Sequence, residues 1–242
     1  METYNLNTLS NQLHSGVSVS NEVLSTLLRK VYAWMSLSLL LTGFTAYAVF
    51  KNSAILNFLQ TNPSALFVLM IAQLGLAILF TARLFKMSLN VGGALFAFYS
   101  LLTGVMFSSI FLLYTQESIA STFFITAGTF GAMSLYGYFT KKDLSSMGKY
   151  LIMGLIGIII ASLVNLFLHS STVMWITTYV GVAIFVGLTA YDTQKIKEML
   201  QIQSQEGLTE NSMKVALYGS FMLYLDFINL FLKLLRIFGR RK

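Results

Sequence analysis

The chain has 242 residues, 56% of them hydrophobic and only 10% charged, with a net charge of +7, one proline and no cysteine. A soluble domain needs far more charge to cover its surface, so this composition is that of a membrane protein. The lack of cysteine excludes disulfides, thiolate metal sites and cysteine nucleophiles.

In chain order, residues 1–30 come first, polar and rich in Asn, Ser, Thr and Leu, with no Lys or Arg before Arg29. They resemble neither a signal peptide nor an Arg-rich transit peptide, and read as a mobile cytoplasmic arm whose weakly amphipathic stretch 19–28 can lie on a membrane surface. Seven apolar runs follow, at about 31–50, 64–82, 91–114, 119–139, 150–168, 173–191 and 215–235. Each approaches the ~20 residues that a ~30 Å hydrocarbon core requires at ~1.5 Å per residue. Barrel strands would alternate in polarity, and these runs do not, so the spans are helical. The expected fold class is all-α, with seven transmembrane helices over 31–236 and a basic tail at 237–242.

Lys and Arg fall unevenly about these spans. With the N-terminus inside, Arg29, Lys30, Arg83, Lys86, Lys141, Lys142, Lys149, Lys195, Lys197 and Lys214 face the cytoplasm, and the outer loops hold only Lys51. The positive-inside rule therefore places the N-terminus in the cytoplasm. Lys233, Arg236, Arg240, Arg241 and Lys242 then face outward if the seventh segment crosses fully; a re-entrant seventh helix would avoid that, yet its apolar run is long enough to span. The net positive charge is accounted for by topology and anionic headgroups, without nucleic acid.

Lipid drives helix association weakly, so small residues that allow close backbone approach matter more. Ser100, Gly104 and Ser108 form such a row in the third span, Ala127 and Gly131 in the fourth, and Gly157, Ala161 and Asn165 in the fifth. The one sizeable connection, 193–214, opens with TQKIKEMLQIQ, a helical extension beyond the headgroups.

Two carboxylates carry the chemistry. Asp226 lies 11 residues past Val215, roughly 16 Å deep and near mid-membrane, where a lipid-facing acid costs about 2.5–3.5 kcal/mol or more. It must face protein or water. Gly219, Met222, Asp226, Asn229 and Lys233 share one helical stripe, which points into the bundle. Asp192, in GLTAYDTQKIK, ends the sixth span, and Arg83, in LFTARLF, ends the second on the same side, as an ion-pair partner or a snorkelling anchor.

GLTAYDTQKIK, STFFITAGTFGAMSLYGYFTKKDLSSMG, TGVMFSSIF and LYLDFINLFLKLLR together resemble the transmembrane Bax inhibitor-motif family, particularly its bacterial inner-membrane branch, over nearly the whole membrane region. The resemblance implies a last helix enclosed by the other six. It also implies a pH-gated calcium or cation leak, with Asp192 and Asp226 as the proton-sensing pair and calcium's carboxylate contacts, Arg83 as a latch partner, and Tyr191, Thr189, Asn229 and Gly219 lining or supporting the path. No cofactor is implied beyond calcium as the permeant ion. Besides lipids, the bacterial branch suggests a regulator that binds a membrane-anchored AAA protease, as a second reading. Family members often carry proline in the third span where this chain has Ser108 and Ser109.

Paired carboxylates in a poorly hydrated site share a proton and titrate together. Ideal helices starting at residues 173 and 215 leave these two acids at different depths, so helix tilt or a break near Gly219 is expected to bring them together. An intramembrane aspartyl protease would match Tyr191-Asp192, but its Gly-x-Gly-Asp half is replaced here by LYLD at 223–226. A retinal protein would want a mid-membrane Lys in the last helix. His14 and His169 read as surface residues, no hydrolase or nucleotide motif occurs, and the chain is expected not to be an enzyme.

Overall fold

The computed structural model describes the backbone of residues 6–242 and the side-chain surroundings from Ser20 onward, Pro63 excepted. The helices are α1 (Leu6–Lys51), α2 (Ser53–Thr61), α3 (Pro63–Arg83), α4 (Leu89–Phe107), α5 (Ile110–Leu113), α6 (Gln116–Phe139), α7 (Ser145–Leu168), α8 (Ser171–Ser204) and α9 (Glu210–Phe238). Seven helical stretches are long and apolar enough to cross a membrane: Ser20–Lys51, Ser64–Lys86, Leu89–Leu113, Gln116–Phe139, Ser145–Leu168, Ser171–Ser204 and Glu210–Phe238. The all-α, seven-span expectation holds.

Local chemistry sets the boundaries. Asn52 caps α2 by accepting the N–H groups of Ala54 and Ile55, Thr115 caps α6, Ser170 caps α8, and Thr209 with Ser212 forms a reciprocal capping box at α9. The α7–α8 hairpin turns at His169, whose φ of 49° stops α7 in the left-handed region. The third span is interrupted at Ser108 and Ser109, whose hydroxyls donate back to the carbonyls of Val105 (2.7 Å) and Met106 (2.8 Å). Two serines thus hold the helical break by bonding back to the preceding turn.

Residues 20–30 are not a loose arm. They continue α1, with Leu27 and Val31 wholly buried and the Ser20 hydroxyl 3.0 Å from that of Ser204. The stretch carries Glu22, Arg29 and Lys30, yet Val23, Leu24, Leu27 and Val31 recur at helical spacing, which suffices to dock it on the bundle. Residues 1–5 of the expected arm lie outside the described residues.

The last helix is the core. Two thirds of the α9 membrane window is buried, 67%, against 44% for α8 and 6% for α3 and α7, so α9 runs through the middle and α3 and α7 face lipid. Helices α1, α4, α6 and α8 pack directly on α9. The remaining spans reach it through Phe80 of α3, tilted against Phe221 at 4.3 Å between centroids, and Ile158 of α7, clustered with Leu230 and Leu234. Helix α9 also runs the full length of the bundle. Its first turn meets the α3–α4 turn, where Glu210 accepts the Leu89 N–H, and its end straps the α5–α6 turn, where Thr115 N–H donates to Arg240 O at 3.0 Å. It is one continuous helix that does not turn back.

The small-residue rows divide. Ser100, Gly104 and Ser108 are buried, and Gly104 sits directly against Thr42 and Thr45 of α1. Open space lies beside Gly131 and Gly157, and Asn165 accepts the Ser170 N–H at 2.9 Å in the α7–α8 turn. Close approach of α6 and α7 to α8 runs instead through Gly137, set against the Ala190 backbone, and Gly148, set against the Tyr191 ring.

Candidate functional site

Asp192 and Asp226 stand on α8 and α9, the two most buried membrane helices, and only 6% and 5% of their surfaces are exposed. Their carboxyl groups face each other at hydrogen-bonding range. Asp226 Oδ2 is buried and finds no donor among the described residues. A proton held between the two carboxyls would supply the donor that neither helix provides, since an ionised carboxylate only accepts.

No helix break is needed for this meeting. Asp192 lies 12 residues before Ser204 at the end of α8, and Asp226 lies 16 residues after Glu210 at the start of α9. At ~1.5 Å per residue these are roughly 18 and 24 Å from one connecting loop, an offset of about one helical turn that two side chains can bridge. The depth mismatch expected from the apolar runs arose from placing the helix starts at the edge of the hydrophobic stretches. Helix α8 carries its polar TQKIKEMLQIQ turn by turn to Ser204, and the capping box starts α9 five residues before Val215. Gly219 is accordingly no kink. It is buried in continuous helix, with the Ile196 side chain of α8 against its Cα, so it draws α8 and α9 together.

The other expected residues divide. Arg83 is exposed at the end of α3 and forms no ion pair among the described residues; the structure does not bring it to the carboxylates. The cation whose field reaches Asp192 is Lys195, which lies over the Tyr191 ring at 5.7 Å. Tyr191 packs on Gly148. Thr189 is fully buried, but its hydroxyl is committed to Phe185 O at 2.8 Å. Asn229 likewise donates to Leu225 O of its own helix at 2.8 Å. No group of three or more His, Cys, Asp or Glu comes together among the described residues.

Buried hydroxyls that the sequence did not single out flank the pair. Tyr224, two residues before Asp226 and wholly buried, lies 2.8 Å from Thr42 Oγ1, which also reaches Ser38 O (2.9 Å) and Ser100 O (3.1 Å). Beside Asp192, the Tyr32 hydroxyl of α1 meets Ser134 of α6 and Thr193 of α8. Gln194 holds the α6–α7 loop on α8, accepting from Leu144 N–H and donating to Lys142 O, both at 2.8 Å. The stripe Ser38, Thr42, Thr45 at helical spacing in an otherwise apolar span was the available signal.

A bundle of seven membrane helices wrapped around its last member, with two facing acids buried on that member and its neighbour, defines a polytopic membrane protein with an internal carboxyl pair. A family profile described as "Inhibitor of apoptosis-promoting Bax1" matches residues 24–242, and the chain belongs to this Bax inhibitor-1 family. It is 54% identical over 220 residues to the inner membrane protein YbhL of Escherichia coli (strain K12), covering 90% of this chain and 93% of that one. An uncharacterized protein of Borreliella burgdorferi is 49% identical over 215 residues, 89% of this chain and 92% of its own. The uncharacterized protein RP147 of Rickettsia prowazekii is 47% identical over 223 residues, 92% of each chain.

Proposed function

We propose that this protein is a pH-sensitive leak pathway for calcium or related cations in the bacterial inner membrane, with its N-terminus cytoplasmic and its opening set by Asp192 and Asp226. The observation that carries this reading is the facing of two buried carboxyls across the α8–α9 contact, with an acceptor left unsatisfied. With one proton between them, the acids bridge the two helices. With no proton, two charges repel in a poorly hydrated site; with two, neither charge strengthens the bridge. Either departure loosens α9 against α8. A hard cation takes oxygen ligands, and two carboxylates fall short of the six to eight that hold calcium firmly, which suits an ion in transit. The inner-membrane assignment follows the E. coli relative, an inner membrane protein.

The test is calcium entry into dye-loaded proteoliposomes over a pH series. The wild type should show flux that is lowest where one proton is shared, and Asp192→Asn or Asp226→Asn should abolish its pH dependence. Absence of flux at every pH, or variants that follow the wild-type profile, would sink the proposal; a protein acting only as a regulator of partners gives the first of these results.

A further inference from the structure

A second feature lies away from the carboxyl pair. Helices α1 and α6 do not close on each other along the half of the bundle nearer the α5–α6 turn. A cleft of about 400 Å³ is left between them, floored by Phe227 and Phe231 of α9. Gly43 on one wall has open space where a Cβ would stand, and Phe124 on the other is 72% exposed, so the cleft opens sideways to the membrane. Among the described residues, Thr42 and Gln116 are its only polar lining residues, and the Thr42 hydroxyl is engaged with Tyr224, Ser38 and Ser100. Such a lining disfavours water and favours hydrocarbon.

The rim of the same cleft is charged. Phe111, a lining residue, accepts the Lys242 ammonium on its carbonyl at 2.8 Å. Lys242 also lies over the Phe50 ring and Lys51 over the Tyr47 ring, and both rings pack on Phe111. The Arg240 carbonyl is fixed to Thr115 N–H, one residue from Gln116, which brings Arg240 and Arg241 to this rim. Four cationic side chains thus gather at the mouth, beside the exposed side chain of Glu117.

We propose that this cleft binds an acyl chain of an anionic phospholipid, whose headgroup phosphate rests on Lys51, Arg240, Arg241 and Lys242. An apolar slot supplies chain affinity without headgroup preference, and the cations supply the preference. The anchored tail then ties the end of α9 to the bilayer.

The experiment is native mass spectrometry of the full chain equilibrated with equal amounts of phosphatidylglycerol and phosphatidylethanolamine of identical chains. The wild type should retain phosphatidylglycerol by about fivefold or more, the effect of roughly one surface cation. Replacing Lys51, Arg240, Arg241 and Lys242 together by Gln should bring the two lipids to parity while a lipid is still retained. Gly43→Phe, which fills the slot, should lose both lipids; Ala120→Leu on the opposite wall serves if that variant does not fold. Equal retention of the two lipids by the wild type, or undiminished phosphatidylglycerol in the folded slot-filling variant, would overturn the proposal.

Discussion

Asp192 and Asp226 meet because α8 and α9 are one antiparallel hairpin, and the two acids sit within about one helical turn of equal distance from its loop. The proposed proton bridge has a chemistry that separates two substitutions. In Asp226→Asn the amide donates permanently to Asp192, so calcium flux should stay low and flat across pH. In Asp226→Ala the buried Asp192 loses its partner. That variant should melt earlier by the equivalent of about 1–3 kcal/mol, the cost of leaving a buried polar group unsatisfied. Thermal unfolding in detergent measures the second effect and proteoliposome flux the first. Asn and Ala variants alike in both assays would refute the bridge.

The hairpin is drawn tight where Ile196 covers Gly219. A methyl group at residue 219 strikes a β-branched side chain that yields poorly, so Gly219→Ala should cost about 1–3 kcal/mol. In an Ile196→Ala background the obstruction is gone, and the same substitution should cost at least about 1 kcal/mol less. Equal costs in the two backgrounds, measured by thermal melting, would mean that Gly219 acts through backbone flexibility instead.

Span number, helical character and the depth of Asp226 were legible because hydropathy and the expense of a buried acid are local properties of the chain. What lay beyond them was set by polar residues at helix ends. TQKIKEMLQIQ and ENSMK are hydrophilic yet helical, and they shift Asp192 and Asp226 into register in a way the apolar runs do not reveal. The same blindness applied to residues 20–30, whose four well-spaced apolar side chains dock a polar-looking segment. Arg83 illustrates the opposite error. Its position in the chain suits a latch, but the exposed end of α3 leaves it facing outward.

Helix α6 carries two glycines whose substitution should differ in sign. Gly137 lies against the Ala190 backbone of α8, which cannot retract as a side-chain tip can, so Gly137→Ala should destabilise by about 1–3 kcal/mol. Open space surrounds Gly131, and there Gly131→Ala only removes the helix penalty of glycine, stabilising by up to about 1 kcal/mol. Melting temperatures of the two variants in one detergent should move in opposite directions. Parallel shifts would show that α6 and α8 are not in contact at Gly137.

Tyr224 lies two residues from Asp226, and its hydroxyl ties α9 to α1 through Thr42, with Ser100 and Thr103 of α4 also in reach. Tyr224→Phe keeps the ring among Phe96 and Tyr99 and removes only the hydroxyl, so it should cost about 0.5–1.5 kcal/mol. Thr42→Val deletes the other partner, and Tyr224 can then turn to Ser100 or Thr103, which limits the loss to a similar size. Because both substitutions break one contact, the double variant should be less destabilised than the two losses added together. Strictly additive melting shifts would place the Tyr224 hydroxyl with the α4 residues and leave Thr42 bonded to the Ser38 and Ser100 carbonyls alone.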